Sequence, residues 1–119
     1  MECITEDGLV EIVRKNKGIL HTRKYSNINI VDLSKCPENT LVCLTGNSQL
    51  IMQFFTNIIN RFRHKIILIF VETDGCKIDN IYLEHKLVKH IFTWNKPINH
   101  PKLTCLPIGL NQDRQGDVL

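Results

Sequence analysis

The chain has 119 residues, a length that favours a single domain and argues against two. Hydrophobic residues make up 43% and charged residues 23% of the chain, which is ordinary for a globular protein and excludes extensive disorder. The net charge of +3 is too small for the strong positive field of a dedicated nucleic-acid-binding protein. We therefore expect one folded domain over residues 1–119, with only a mild attraction to polyanions.

The lack of a recognisable targeting signal and the spacing of the cysteines indicate a reducing compartment. The first residues lack a basic region followed by an apolar stretch, and the longest apolar run, Ile66–Val71, is too short to span a bilayer. Abundant Ile, Asn and Lys, with no alanine, indicate an AT-rich genome. We expect a soluble intracellular protein without a membrane partner. Five cysteines, none in a close pair, are typical of reduced, buried thiols: Cys3, Cys36, Cys43, Cys76 and Cys105.

The first forty residues carry short, irregular signals. We predict a helix at Gly8–Lys15 and short strands at Gly18–Thr22 and Ile28–Leu33 from the local pattern of apolar residues. The segment Cys36–Asn39 contains a proline and is predicted to form a loop. This part of the chain therefore adds a helix and short strands to whatever follows it.

A βαβ unit is the clearest prediction. The apolar run Thr40–Thr45 predicts a strand, and Gly46, Asn47 and Ser48 then supply a turn and a helix N-cap. The uninterrupted apolar run Ile66–Val71 predicts a second strand, covered on both faces. Strands joined through a helix are parallel, with a right-handed crossover. The apolar residues between the two strands recur at helical spacing: Leu50, Ile51, Phe54, Phe55, Ile58, Ile59 and Phe62.

The remaining segments extend this pattern. We predict a shorter helix at Ile78–Lys86, a strand at Val88–Trp94, and a final strand at Leu103–Leu106 that ends in a turn at 107–109. Together the elements predict a small α/β domain of Rossmann-like, three-layer type with a short, mostly parallel sheet. Its best-marked core covers residues 40–110.

Ligands of parallel α/β sheets bind beyond the carboxyl ends of the strands, so residues that follow strands are the first site candidates. Glu72 and Asp74, two residues apart after a buried strand, are the candidates for a catalytic base. Each candidate also has a structural interpretation, as a helix cap, an acidic turn or the rim of the core. The ligand-binding candidates offer amides, polar side chains or an aromatic ring: Thr45, Gly46, Asn47, Ser48, Trp94 and Asn95.

Metal and cofactor sites are not predicted. His85, His90 and His100 are too irregularly spaced for a local zinc motif, and no cysteine lies close to any of them. Basic residues form two clusters, which indicate either a solvated basic face or contacts to a phosphate backbone. The clusters are Arg14, Lys15, Lys17, Arg23 and Lys24, and then Arg61, Arg63, His64 and Lys65.

The segments Ile91–Asn95 and His100–Leu110 resemble glycosyltransferase-like proteins of exostosin type, which include members in large DNA viruses. In those proteins a strand ending near a Trp and an Asn precedes a His-Pro-Lys loop and a Pro-Ile-Gly-Leu turn. The resemblance covers roughly residues 40–110 and implies the Rossmann-like half of a two-domain transferase. The second half supplies most of the sugar-nucleotide site in the family, so we expect a chain of this length to lack transferase activity.

The leading functional prediction is a non-catalytic or degenerate Rossmann-like domain of a large DNA virus. It would bind a partner protein or a second copy of itself, as a homodimer for example, in the host cytoplasm or the virion. The first alternative is a residual site for a sugar or nucleotide sugar. The second is weak binding of nucleic acid through the basic clusters, which the modest net charge disfavours.

Overall fold

Five short apolar segments pair side by side into one parallel sheet in the computed structural model, which describes residues 6–71, 78–93 and 100–106. Every neighbouring pair of strands is parallel, and β2 and β3 pair without interruption. The predicted α/β fold with a parallel sheet is confirmed. The strands follow the chain in the order β1 (Ile19–His21), β2 (Thr40–Thr45), β3 (Ile66–Val71), β4 (Val88–Thr93) and β5 (Leu103–Cys105).

Three helices accompany the sheet in the described ranges. Helix α1 (Glu6–Lys15) precedes β1, α2 (Ser48–Gln53) connects β2 to β3, and α3 (Asn80–Leu83) precedes β4. The helical backbone of α2 continues as a π-helical segment at Phe54–Ile58 and a 3-10 turn at Ile59–Arg61. The predicted helix between β2 and β3 is therefore present over its expected length, although its hydrogen-bond pattern changes part-way along.

The two faces of the sheet have different covers, which makes the domain three-layered. The connections between strands supply buried side chains to one face, including Leu33, Phe54 and Leu83. Helix α1 supplies Val10 and Val13 to the other face. Right-handed crossovers that all advance in the same direction along a sheet lie on the same side of it. The connections therefore share one face, which we call the crossover face, and α1 lies on the opposite face.

The predicted strand at Ile28–Leu33 is wrong. Residues 28–32 form turns and a bend, and a 3-10 turn follows at Leu33–Lys35. The edge of β1 that this segment would have to pair with is occupied, because the Leu20 N–H donates to Oδ1 of Asn27 at 2.7 Å. The two ends of the segment remain buried in the core. Local bonds from a polar side chain have replaced a sheet ladder here.

Two smaller expectations also change. The predicted helix at Ile78–Lys86 is reduced to the single turn of α3. Among the described cysteines, Cys36 and Cys43 are buried thiols as expected, whereas Cys105 on β5 is exposed. Cys105 is exposed because β5 is an edge strand.

Candidate functional site

The junction between β2 and α2 lies at the carboxyl edge of the sheet and contains the predicted ligand-binding residues Thr45 and Gly46. Oγ1 of Thr45 is buried and accepts the Arg23 N–H at 2.9 Å. The Gly46 N–H donates to the carbonyl of Val71 at the end of β3. These two bonds join the carboxyl ends of β1, β2 and β3, so Thr45 and Gly46 hold the strand ends together.

Asn47 is the N-cap of α2. Its Oδ1 accepts the N–H of Gln49 at 2.9 Å and the N–H of Leu50 at 3.2 Å. The Ile51 N–H donates to the Asn47 carbonyl at 2.9 Å, as the first bond of the helix, and Ser48 is exposed. Two of the amides that could hold an anion at the helix start, those of Gln49 and Leu50, are thus already bonded within the chain. This geometry supports the capping interpretation of Asn47, and its role in ligand binding stays a prediction.

The other predicted site residues lie outside the described residues. They are Glu72, Asp74, Trp94 and Asn95. Their catalytic and ligand-binding roles therefore stay predictions, and the predicted site residues that the structure describes at the carboxyl edge are Thr45, Gly46, Asn47 and Ser48.

The order of the strands bears on whether this edge forms a cleft. Open α/β sheets bind ligands where the strand order reverses, because the connections then leave on opposite faces and a crevice opens between them. The described strands run in sequence order from β1 to β5 without a reversal. The described sheet therefore provides no such crevice at its carboxyl edge.

A groove lies instead on the crossover face, between α2 with its π-helical continuation and α3. It has a volume of about 420 Å³, and its floor is a stack of Phe55 on Tyr82, with ring centroids 4.4 Å apart and an interplanar angle of 19°. Met52 is 54% exposed and Ile81 is 70% exposed at its rim. We call this depression the aromatic groove, and its lining residues are Met52, Phe55, Thr56, Ile81, Tyr82 and His85.

The π-helical segment explains why one side of this helix faces the groove. The Ile59 N–H donates to the carbonyl of Phe54, five residues earlier. The wider turn keeps Phe54 and Ile59 fully buried and leaves Phe55 partly exposed beside α3. Phe54 also contacts Phe55 edge-on, with centroids 5.6 Å apart. The apolar stripe of this helix contains more side chains than the core can bury, and Phe55 is one of those that stay partly exposed. Single turns of π-helix are frequent at functional sites.

His85 closes one end of the groove without adding charge at neutral pH. Its ring lies 5.7 Å from the ring of Phe55, and its Nδ1 accepts the Leu87 N–H at 3.1 Å. Burial lowers the pKa of His85, and the charges of Lys86 and Lys102 lower it further. The neutral imidazole is therefore the favoured form at pH 7, and the groove is lined by uncharged side chains.

The sequence pattern does not predict this groove. Its residues come from two segments separated by β3, and neither segment carries a recognisable motif. The signal that could have found it is the width of the apolar stripe, in which Phe54 and Phe55 are adjacent and cannot both face the core.

A second depression, of about 460 Å³, lies between the 3-10 turn after β1 and Arg61. Its one carboxylate, Asp32, accepts the Ser34 hydroxyl at 2.6 Å and the Ser34 N–H at 3.1 Å. The hydrogen bonds from Ser34 lower the pKa of Asp32, with smaller contributions from the charges of Lys35 and Arg63. The carboxylate holds the local turn, which makes this depression a weaker candidate than the aromatic groove.

Comparison with known proteins gives no relative from which a function for these surfaces could be inferred. The chain matches no protein-family model, no curated protein and no solved structure. Within the described ranges, no group of three or more His, Cys, Asp or Glu side chains could hold a metal ion. None of the described helices has the length and apolar character needed to cross a bilayer.

The predicted basic clusters are at the surface. All nine side chains are exposed, and the Arg14 guanidinium lies over the ring of Tyr25, 4.9 Å from its centroid. Arg63, His64 and Lys65 immediately precede β3, at the amino edge of the sheet. Lys102 immediately precedes β5 at the same edge, so the fold brings it towards the second cluster although it is distant in sequence.

Proposed function

We propose that this chain is a non-catalytic, Rossmann-like domain that associates with a second copy of itself through the aromatic groove. The observation that carries the proposal is the exposure of two large apolar side chains, Met52 (54%) and Ile81 (70%), beside a floor of stacked rings. Exposed apolar side chains gathered around an aromatic depression are typical of protein contact surfaces.

Self-association through the groove would form a two-fold interface. Such an interface places the same surface patch of each copy against the other, so the patch needs both a projection and a recess. Ile81 projects at the rim, and the Phe55–Tyr82 stack forms the recess beside it. Since the lining is uncharged at neutral pH, pairing the two grooves leaves no buried charge without a partner.

The expected affinity follows from the small size of the patch. A stable interface buries roughly 800 Å² and about 20–30 residues on each partner, whereas six residues line the groove. We therefore expect a weak dimer with a dissociation constant of roughly micromolar order.

The ancestry and location of the protein are part of the same proposal. Descent from an exostosin-type glycosyltransferase of a large DNA virus, with residence in the host cytoplasm or the virion, rests on the resemblance in residues 91–110 and on the AT-rich composition. Loss of the transferase activity is consistent with capping bonds at the described carboxyl edge. A residual nucleotide-sugar site predicts thermal stabilisation by a nucleotide sugar, and unchanged melting across a panel of such compounds would remove that alternative.

Sedimentation velocity of the full chain over a concentration series tests the self-association. Ile81→Asp should shift the chain towards monomer. Burying 70% of an Ile side chain contributes about 1–2 kcal/mol, and a two-fold interface buries it twice, so the change should weaken the dimer by about 30-fold or more.

Ile30→Asp is the matched control. Ile30 is 86% exposed and does not line the groove, so its replacement should leave the dimer unchanged. A wild-type chain that sediments as a monomer at every concentration contradicts the proposal. Equal weakening by both substitutions contradicts it too, because the effect would then be one of charge and not of the groove.

A further inference from the structure

Half of the sheet face on the α1 side lacks a helix in the described structure. Helix α1 packs against β1 and β2, and the buried residues beneath it include Leu20 and Cys43. Further across the same face, solvent reaches side chains of β3, β4 and β5. We call this surface the open half-face, and its residues are Ile67, His90 and Phe92, which are partly exposed, and Thr104, which is exposed.

Two rings are held side by side on the open half-face. His90 and Phe92 are two residues apart on β4 and therefore lie on the same face of the sheet. Their ring centroids are 4.8 Å apart, with an interplanar angle of 51°. Nε2 of His90 lies 2.7 Å from Oγ1 of Thr104 on the neighbouring strand, which fixes the position of the imidazole. The surface therefore presents a small aromatic platform on β4, held in place by β5.

Positive charge borders this platform. Lys65 and Lys102 precede β3 and β5 at the amino edge, and β3, β4 and β5 contain no acidic residue. The Ile91 N–H donates to the carbonyl of Lys102 at 2.8 Å, so Lys102 lies beside β4 next to His90. Burial lowers the pKa of His90, and the charge of Lys102 lowers it further. Burial lowers the pKa of Lys102, and the positive charge of Lys65 lowers it further, whereas the negative charge of Glu84 raises it. Lys102 thus borders the strand that carries the aromatic platform, and Lys65 precedes the neighbouring strand β3 at the same edge of the sheet.

We propose that the open half-face binds single-stranded nucleic acid. Unpaired bases stack on the rings of Phe92 and His90, and Lys65 and Lys102 contact the phosphates. An aromatic platform with flanking cations is the combination that single strands require, since bases within a duplex cannot reach rings on a flat sheet. The site lies on the face opposite the aromatic groove and does not depend on the self-association proposed above.

Fluorescence anisotropy with labelled single-stranded RNA and DNA of about 16 nucleotides tests the proposal. The full wild-type chain should bind the single strands more tightly than a duplex of the same sequence. Phe92→Leu keeps apolar volume but removes the ring, and should weaken binding by about fivefold or more. Lys102→Gln should weaken binding and reduce the slope of log affinity against log salt by about 0.7, the value for one phosphate of a single strand.

The control is Lys35→Gln, because Lys35 is exposed on the 3-10 turn that packs on the crossover face. It should leave the affinity unchanged. Thr104→Glu places a negative charge on the exposed part of the platform and should abolish binding, so it provides a second test if Phe92→Leu fails to fold.

Three outcomes would overturn the proposal. The first is an absence of binding to single strands at low salt. The second is equal weakening by Lys35→Gln and Lys102→Gln, which would indicate diffuse attraction to a polyanion. The third is a Phe92→Leu chain that binds single strands as the wild type does but sediments differently, because the open half-face would then be an interface between copies.

Discussion

Replacing Gly18 by alanine should destabilise the domain, because the carboxyl end of α1 is built around this residue. The Gly18 N–H donates to the carbonyl of Val13 at 2.8 Å, and the Lys17 N–H donates to the carbonyl of Arg14 at 3.0 Å. These are the two bonds of a Schellman motif, which normally has glycine at the left-handed position. Here Lys17 takes that position, with a φ of 56°, and glycine follows it.

The size of the effect follows from the space around Gly18. A Cβ at this position would lie 2.6 Å from Cγ1 of Val13 and 2.7 Å from the carbonyl oxygen of Leu41. Val13 is fully buried, and Leu41 belongs to a strand paired on both sides, so neither atom can move away easily. Forcing one extra carbon into such a site costs about 1–3 kcal/mol.

Lys17→Gly is the companion change, and its effect should have the opposite sign. A left-handed backbone costs an L-residue about 1–2 kcal/mol, and glycine removes that cost while losing some of the gain to the greater freedom of the unfolded chain. We expect Lys17→Gly to be neutral or to stabilise the domain by up to about 1 kcal/mol.

Urea denaturation followed by circular dichroism gives both free energies of unfolding. The wild type, Gly18→Ala and Lys17→Gly should unfold with similar dependence on urea but at different midpoints. Gly18→Ala unfolding at the wild-type midpoint, or Lys17→Gly unfolding well below it, would refute the reasoning from close packing and left-handed backbone.

Two further predictions concern the cap and the pH response. Asn47→Ala removes the acceptor of two helix amides and should lower the free energy of unfolding by about 1 kcal/mol, whereas Asn57→Ala, at an exposed position, should change it little; equal urea midpoints for the two variants would contradict the capping role. Burial lowers the pKa of His21, whose Nδ1 is buried without a hydrogen-bond partner. The unfolded chain therefore takes up the proton first, and stability that is complete above about pH 6.5 should fall as the pH drops through the folded pKa. Urea midpoints between pH 8 and 5 check this, and His21→Leu should flatten the decline; an unchanged slope would count against His21.

The two surfaces proposed for binding lie on opposite faces of the sheet, so their tests are separable. The aromatic groove belongs to the crossover face, whereas the open half-face lies beside α1. Ile81→Asp should affect sedimentation and not oligonucleotide binding, and Phe92→Leu should do the reverse. A change in both measurements from either substitution would point to a general loss of structure.

The central elements could be predicted from local patterning, because the spacing of their apolar residues indicates which side chains are buried. The run Ile66–Val71 is a strand in which all residues except the partly exposed Ile67 are buried, and the helix after Asn47 begins at the predicted cap. The prediction at Ile28–Leu33 was wrong because an apolar, β-branched segment becomes a strand only if a neighbouring edge is available, and Asn27 occupies that edge. Sequence spacing does not contain this information.

The candidate site shows the same division. The sequence placed Thr45, Gly46 and Asn47 at a strand end, and their contacts are those of a strand end and a helix cap. It could not predict the aromatic groove, since Phe55 and Tyr82 meet only after β3 has brought their helices together. Apolar periodicity records that a side chain is buried or half-buried, but not which distant residue lies against it.

The sequence by itself determined an α/β fold with a parallel βαβ unit, because strand and helix periods, glycine breaks and caps act over a few neighbouring residues. Only the tertiary structure decided the order of the five strands, the half of the sheet that α1 covers, and the assignment of the left-handed position to Lys17. Each of these depends on contacts between segments far apart in the chain. The described strands follow one another without a reversal of order, so the described strand ends form no cleft. The accessible apolar surfaces are therefore the candidates for the function of this domain.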